Sequence, residues 1–316
     1  MRRMLTLLAV LLLAEPAYTT ERVWRLGILT PTDWPADDVM HTVLIPELAR
    51  RGYVEGRNLV ILPHWGNFDQ IPQLAEDLAG DKPDVIVAAS SIAVAAAMKA
   101  SPQTPIVASF IGDPVQEGVA ESLSRPGGNV TGLALLAGEG DKKRVQLLHD
   151  AMPAARKFGI LADQNRISSR AGTKSAATSM GVESILYPVN DAAEYRSAFD
   201  AMRDAGVEGV VILSSPVFTR DVTKLASLAL ERHLPTICEW RSMAANGCLI
   251  GFGPDIAELR LRTADFVVRL FSGGNPAEMP FEQPVHFKMA INEKVAHTIG
   301  VAISPSVLVR CDEVIE

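Results

Sequence analysis

Between residues 25 and 251, short runs rich in Val, Ile, Leu and Ala alternate with longer stretches in which apolar positions recur at helical spacing. Short apolar runs without strict alternation read as strands buried on both faces, and the longer stretches as the helices that cover them. In a first series the pattern predicts strands at 25–30, 58–63, 85–89, 106–110 and 130–134, with helices at 36–51, 69–80, 91–100 and 114–123. A second series predicts strands at 157–162, 182–188, 209–214, 236–239 and 248–251, with helices at 142–151, 168–180, 192–205 and 219–232. Each series is a five-stranded unit, so the expected fold class is α/β, with two doubly wound parallel-sheet lobes. The series share an order of elements and no residue-level repeat. An amphipathic stretch at 255–271, a strand at 283–291, a helix at 292–299 and a short apolar end after Ser304-Pro305 are left over. Left-over elements cross back between lobes, which predicts hinge crossings near 135–140, 253–255 and 279–284. The expected N-terminal lobe is then 21–136 plus about 256–280, and the C-terminal lobe 137–255 plus about 281–316.

The first residues follow a different pattern. Arg2 and Arg3 precede an apolar run over 4–14, which gives way to Pro16, Thr19, Thr20 and Glu21. This is the layout of a signal peptide over 1–20, cut near Thr19 or Thr20. The run is about half the roughly 20 residues that span a bilayer. The expectation is a secreted protein of the periplasm. No cysteine stands near the cut to take a lipid anchor. About 295 residues remain, more than one core usually organises.

The full chain has 30 Lys and Arg against 37 Asp and Glu; loss of Arg2, Arg3 and Glu15 leaves 28 against 36, a net charge of −8. Such an acidic balance argues against nucleic acid as a partner. Cys238, Cys248 and Cys311 are too few for a disulfide framework. Cys238 and Cys248 read as ends of neighbouring strands; two buried thiols are the favoured reading, and a bridge between them stays open.

In open parallel sheets, ligands gather beyond the carboxyl ends of the strands. The loops there hold Thr30, Thr32 and Trp34; Ser90 and Ser91; Gly112 and Asp113; Asp163; Ser214, Ser215 and Phe218; and Glu239 with Trp240. Ser90 and Ser91 open an Ala-rich helix, whose free N–H groups and dipole suit a carboxylate, although one serine also serves as a plain N-cap. Asp113-Pro114 and Ser215-Pro216 are strong helix starts in their own right. Trp34, Phe218 and Trp240 suit stacking on a flat ligand, or packing under a neighbouring helix. Enzyme signatures are missing: no G-x-G-x-x-G follows the first strand, and no phosphate-binding G-x-x-x-x-G-K-[ST] or nucleophile-elbow G-x-S-x-G occurs. The six histidines show no metal-binding spacing. No catalytic residue, metal or cofactor is expected.

Several longer motifs are more specific: ELARRGYVEGRNLVI over 47–61, GDPVQEGVAESLSRPGGNVTGL over 112–133, FEQP at 281–284, INEKVAHTIG at 291–300 and ISPS at 303–306. Together they resemble the ABC transporter substrate-binding family related to tryptophan- and tyrosine-binding importer proteins, from about Val23 to Glu316. The resemblance implies a type I periplasmic-binding fold, two lobes closing on a small solute, and delivery to a membrane permease with a cytoplasmic ATPase. The small-residue turn Ala89-Ser90-Ser91 and the turn Gly112-Asp113-Pro114 match the family in kind. Ala162-Asp163-Gln164-Asn165 departs from its commoner Asn-Pro form, and Phe252 stands where Tyr is frequent, so ligand choice is expected to differ.

The expected function is capture of a small solute, an aromatic amino acid or related acid, by a monomeric importer component. Thr30, Ser90 and Ser91 would meet an anionic or carbonyl end, and Asp113, Asp163 or Glu239 an amine or hydroxyls. Trp34, Phe218 and Trp240 would form apolar walls. The alternative is a periplasmic sensing module that signals to a membrane partner such as a kinase. A DNA-bound regulator conflicts with the leader and the missing N-terminal helix-turn-helix.

Overall fold

The computed structural model describes residues 22–31, 40–164 and 170–316; the leader expected over 1–20, together with Thr32, Trp34 and Asn165, lies outside the described residues. The first lobe is a parallel sheet of β1 (Trp24–Thr30), β2 (Leu59–Trp65), β3 (Val85–Ala88), β4 (Ile106–Ile111) and β5 (Val130–Ala134), in the order β2-β1-β3-β4-β5. Its crossovers include α1 (Ile45–Arg50), preceded by a π-helical turn at Met40–Leu44, α2 (Ile71–Gly80) and α3 (Ser91–Ala100). Successive side chains of a strand enter opposite helix layers. Val85 and Val87 are buried with Leu44, Leu48, Phe266 and Val267. Ile86 and Ala88 are buried with Ile71, Leu78, Ala93 and Val94. Both faces are covered, which is why these strands read as unbroken apolar runs.

The second lobe begins with α4 (Ala137–Ala151), followed by β6 (Lys157–Asp163), α5 (Arg170–Ser179), β7 (Glu183–Val189), α6 (Tyr195–Asp204) and β8 (Gly209–Ile212). Then come α7 (Pro216–Arg220), α8 (Val222–Leu230), β9 (Thr236–Cys238), α9 (Arg241–Ala245) and β10 (Ile250–Pro254). The long helix α10 (Ile256–Phe271) returns to the first lobe, while β11 (Phe287–Asn292), α11 (Glu293–Ile299), α12 (Pro305–Leu308) and β12 (Glu313–Ile315) belong to the second. Its sheet runs β12-β11-β10-β9-β8-β6-β7. Within it β11 pairs antiparallel with β10, and β12 parallel with β11. The five strands read from the second series thus become seven, because the tail extends the sheet.

The chain crosses between lobes three times: after β5, at Asp255, and between Glu282 and β11. The last two crossings are tied by Asp255 N–H donating to His286 O at 3.1 Å. On the first lobe, Phe271 of α10 stacks on Trp24 with ring centroids 4.5 Å apart, and Thr263 Oγ1 lies 3.2 Å from Ser109 Oγ. Glu282 joins the edge of β5, taking the Ala134 N–H on its carbonyl at 2.8 Å.

Three expectations are corrected. Residues 114–123 form turns and no helix: the N–H groups of Val119 and Ala120 both bond back to Pro114 O, and Gly118 adopts a left-handed φ of 69° that ends the first turn. The helix read over 219–232 is two, α7 and α8, parted at Asp221. Cys238 and Cys248 are joined in a disulfide, where buried thiols were favoured; the neighbouring strands bring their Cα atoms to 6.5 Å, within bridging range.

Glu47 fastens α1 to α10. It accepts bonds from Arg50 and Arg51 at 2.7 Å, and Arg51 reaches on to Asp265 at 2.8 Å. These guanidinium bonds hold the Glu47 carboxyl at about 2, below its ordinary 4.5. A depressed folded value stabilises above the unfolded value and is lost as the pH falls through the folded one. Glu47→Gln is therefore expected to lower stability by about 1 kcal/mol at neutral pH. In urea melts the gap from the unaltered protein should close as the pH falls from 4.5 to 2; a gap constant with pH contradicts this.

Candidate functional site

A cleft of about 820 Å³ lies between the lobes, lined by loops that leave the carboxyl ends of the strands. Strand register explains its first wall. Thr30 and Trp65 end β1 and β2 and are Cα partners in the ladder, so both arrive at the same edge. Ser90 and Ser91 arrive from β3, and Phe110 and Gly112 from β4. The second wall carries Ser214, Ser215, Arg220, Glu239 and Trp240, and Arg260 of α10 enters from the side. Phe110 and Trp240, which both line the cleft, meet across the lobes with ring centroids 6.0 Å apart.

Among the residues expected from sequence, Thr30, Ser90, Ser91 and Gly112 line the cleft from the first lobe, and Ser214, Ser215, Glu239 and Trp240 from the second. Three others stand elsewhere. Asp113 caps its own turn, accepting from the N–H groups of Val115 and Gln116 at 3.0 and 3.1 Å and from the Gln116 side chain at 2.8 Å. Asp163 is buried behind the wall and accepts the Ser215 hydroxyl at 2.8 Å. Phe218 is buried and packs edge-on against Tyr195, with centroids 6.0 Å apart.

The polar groups differ in what they can still offer. Ser90 caps α3, its oxygen accepting the Ala93 N–H at 3.2 Å. Asn67 and Gln70 form a reciprocal cap in which both side-chain oxygens accept main-chain N–H groups, leaving their NH₂ groups as the donors they present. Arg220 is held by Asp221, which also accepts the Tyr195 hydroxyl at 2.9 Å. Burial pushes Asp221 upward, yet the bonds from Arg220 and Tyr195 outweigh it and hold the carboxyl below its ordinary value. Burial together with the Asp221 bond pushes the Tyr195 phenol up. The Arg220 guanidinium thus stays charged, 5.9 Å from the Phe68 ring of the opposite lobe. Arg260 donates to Ser109 and stands 4.9 Å from the Phe110 ring.

Sequence reasoning missed Trp65, Asn67, Gln70, Phe110, Arg220 and Arg260. Trp65 was within reach: β2 runs two residues past Pro63, and this proline is tolerated because β2 is an edge strand. The return of α10 to the first lobe was expected from the left-over stretch, but no local pattern marks Arg260 as the side chain that reaches the cleft.

A family model described as ABC transporter substrate binding protein matches residues 25–315. The chain belongs to that family. This substrate-binding protein is similar to a tyrosine-binding protein of Clostridioides difficile (strain R20291), 23% identical over 274 residues that cover 85% of this chain and 79% of the relative. It shares its fold with a Streptococcus pneumonia ABC domain solved in complex with L-Trp, at TM-score 0.84 and 22% identity, covering 93% of this chain and 100% of that one. An open, ligand-free substrate binding protein with adhesive properties from Clostridium difficile follows at TM-score 0.69 and 22% identity, covering 90% of this chain and 97% of that one. The fold is that of the type I periplasmic binding proteins, as the sequence resemblance implied. Among the described residues, no helix of this substrate-binding protein is long and apolar enough to cross a membrane.

The second wall depends on two glycines in β10. A Cβ at Gly253 would sit 1.9 Å from Glu239 O, and one at Gly251 2.3 Å from Trp240 O. Gly253→Ala must push the Glu239-Trp240 segment away, with a cost of about 1–3 kcal/mol. The expected result is a lower melting temperature together with loss of solute binding; a variant that melts and binds as the unaltered protein does contradicts the packing argument.

Proposed function

We propose that this chain is the periplasmic solute-binding component of an ABC importer, capturing an aromatic amino acid or a related acid between its lobes. The observation that carries the reading is the cleft itself. Trp65, Phe110 and Trp240 supply flat apolar surface, while Ser90, Ser91 and the first N–H groups of α3 offer donors at the positive end of a helix dipole. An aromatic ring and a carboxylate are the two groups such a cleft matches. A relative named as tyrosine-binding and a fold neighbour solved with L-Trp support the same ligand class.

The proposed roles follow from the walls. Thr30, Ser90 and Ser91 meet the carboxylate with help from Arg260; Glu239 and the serines of the second lobe meet a donor group; Trp65, Phe110 and Trp240 hold the ring. A leader removed near residue 20 delivers the protein to the periplasm as a monomer. The closed form then docks on a permease driven by a cytoplasmic ATPase, because only a ligand that favours closure can shift the hinge equilibrium.

A thermal-shift screen of the refolded, ligand-stripped mature protein tests this, against amino acids, aromatic acids, sugars and nucleobases. A ligand at about 100 times its Kd adds roughly 2.7 kcal/mol of apparent stability. A selective rise with tryptophan, tyrosine, phenylalanine or an aromatic acid is expected. A response to sugars or nucleobases alone overturns the ligand class, and silence to all of them moves a sensing role to the front.

A further inference from the structure

Behind the second wall, Arg144 is 1% exposed and Asp141 fully buried. They stand three residues apart on α4 and are ion-paired. Arg144 also donates to Ser214 Oγ, and to Phe252 O at 3.1 Å. Asp141 Oδ1 accepts the Ser214 N–H at 3.1 Å and lies 3.3 Å from Ser214 Oγ. Neither charged residue lines the cleft; Ser214 does. Apolar side chains of similar volume often replace a buried ion pair without loss of stability, so a pair this deep is explained better by what it holds than by what it stabilises.

What it holds is the valence of one hydroxyl. A serine oxygen has one proton and two lone pairs. At Ser214 the proton goes to Asp141 and one lone pair to Arg144, so a lone pair is what remains for the cleft. Ser215 repeats the arrangement, giving its proton to Asp163 at 2.8 Å and accepting the Val217 N–H at 3.2 Å. The opposite wall is inverted. Ser90 spends a lone pair on Ala93 and keeps its proton, and Asn67 and Gln70 spend their oxygens on each other's main chain. Among the serines and amides, donors face the cleft from the first lobe and acceptors from Ser214 and Ser215 of the second, where Arg220, held by Asp221, is the one cation among the described residues of that wall.

We propose that Asp141 and Arg144 are positioning residues that fix Ser214 as an acceptor, so that the solute lies with its carboxylate toward the first lobe and a donating ammonium toward the second. The orientation rests on the amino-acid reading above; the role of the pair in setting Ser214 does not.

The test measures Kd by calorimetry for amine-bearing and amine-free partners: L-tryptophan against indole-3-propionate, and L-tyrosine and L-phenylalanine against their des-amino acids. The proteins are the unaltered mature chain, Ser214→Ala, Asp141→Asn and, because half of a buried pair cannot be removed without strain on the fold, the double change Asp141→Leu with Arg144→Met. Each variant is expected to weaken the amine-bearing ligand about tenfold and leave its amine-free partner within about twofold. Equal losses for both partners, or none, overturn the orientation, since a merely structural role has no reason to separate them. If the unaltered chain binds none of these probes, the amino-acid reading fails by itself. The positioning role is then read from the ligand-free Ser214 amide proton, which should resonate downfield against the Asp141 carboxylate and move upfield in the double variant. An unmoved resonance overturns that role.

Discussion

A parallel strand must be left at its carboxyl end and re-entered at its amino end, so every crossover helix starts from the same edge of the sheet. That constraint decides where this molecule can bind anything. It places Thr30 beside Trp65, brings Ser90 and Gly112 to the same rim, and puts Ser214 and Glu239 at the rim of the other sheet. Three crossings then set the two rims against each other, the last two tied by the Asp255 to His286 bond. The cleft is a product of chain direction before it is a product of any side chain.

Chemistry is added to the rims by groups that sit behind them. Gly251 and Gly253 let β10 approach the Glu239-Trp240 segment, and the disulfide from Cys238 to Cys248 ties together the ends of the loop that contains it. Caps and buried carboxylates decide which atom of each serine or amide still faces the solute. Serine and amide donors on the first rim opposite the Ser214 and Ser215 acceptors on the second, with Trp65, Phe110 and Trp240 between and the Arg220 cation beside them, fit the proposed bipolar ligand with a flat apolar body. In the proposed mechanism, lobe closure would remove water from these groups, strengthening each bond and making an unmatched one costly.

How much of this could be read from the sequence depended on how local the cause was. Both lobes were legible because strands buried on both faces leave unbroken apolar runs, and the turns at Ser90, Gly112, Ser214 and Glu239 follow directly from the strand ends. The turns over 114–123 were read as a helix because the left-handed conformation at Gly118 is invisible in composition. Phe218 looked like a cleft aromatic in its loop, yet Tyr195, many residues away, offered it a buried partner. Strand β12 is short and carries Glu313, so it exists only because β11 presents an edge for it. The return of α10 was read from its amphipathic pattern, yet nothing in that pattern marks Arg260 as the residue that reaches the cleft, and the pair of Asp141 with Arg144 owes its place to the packing of α4 beneath Ser214, which has no sequence period.

The central claim is that one small solute, held between the rims, draws the lobes together. Small-angle X-ray scattering from the ligand-stripped mature protein, before and after one molar equivalent of the solute that raises its melting temperature, tests this most directly. The account predicts a smaller radius of gyration that saturates at one solute per chain. A solute that binds one-to-one while the scattering curve stays unchanged would contradict it, because binding would then be uncoupled from the hinge.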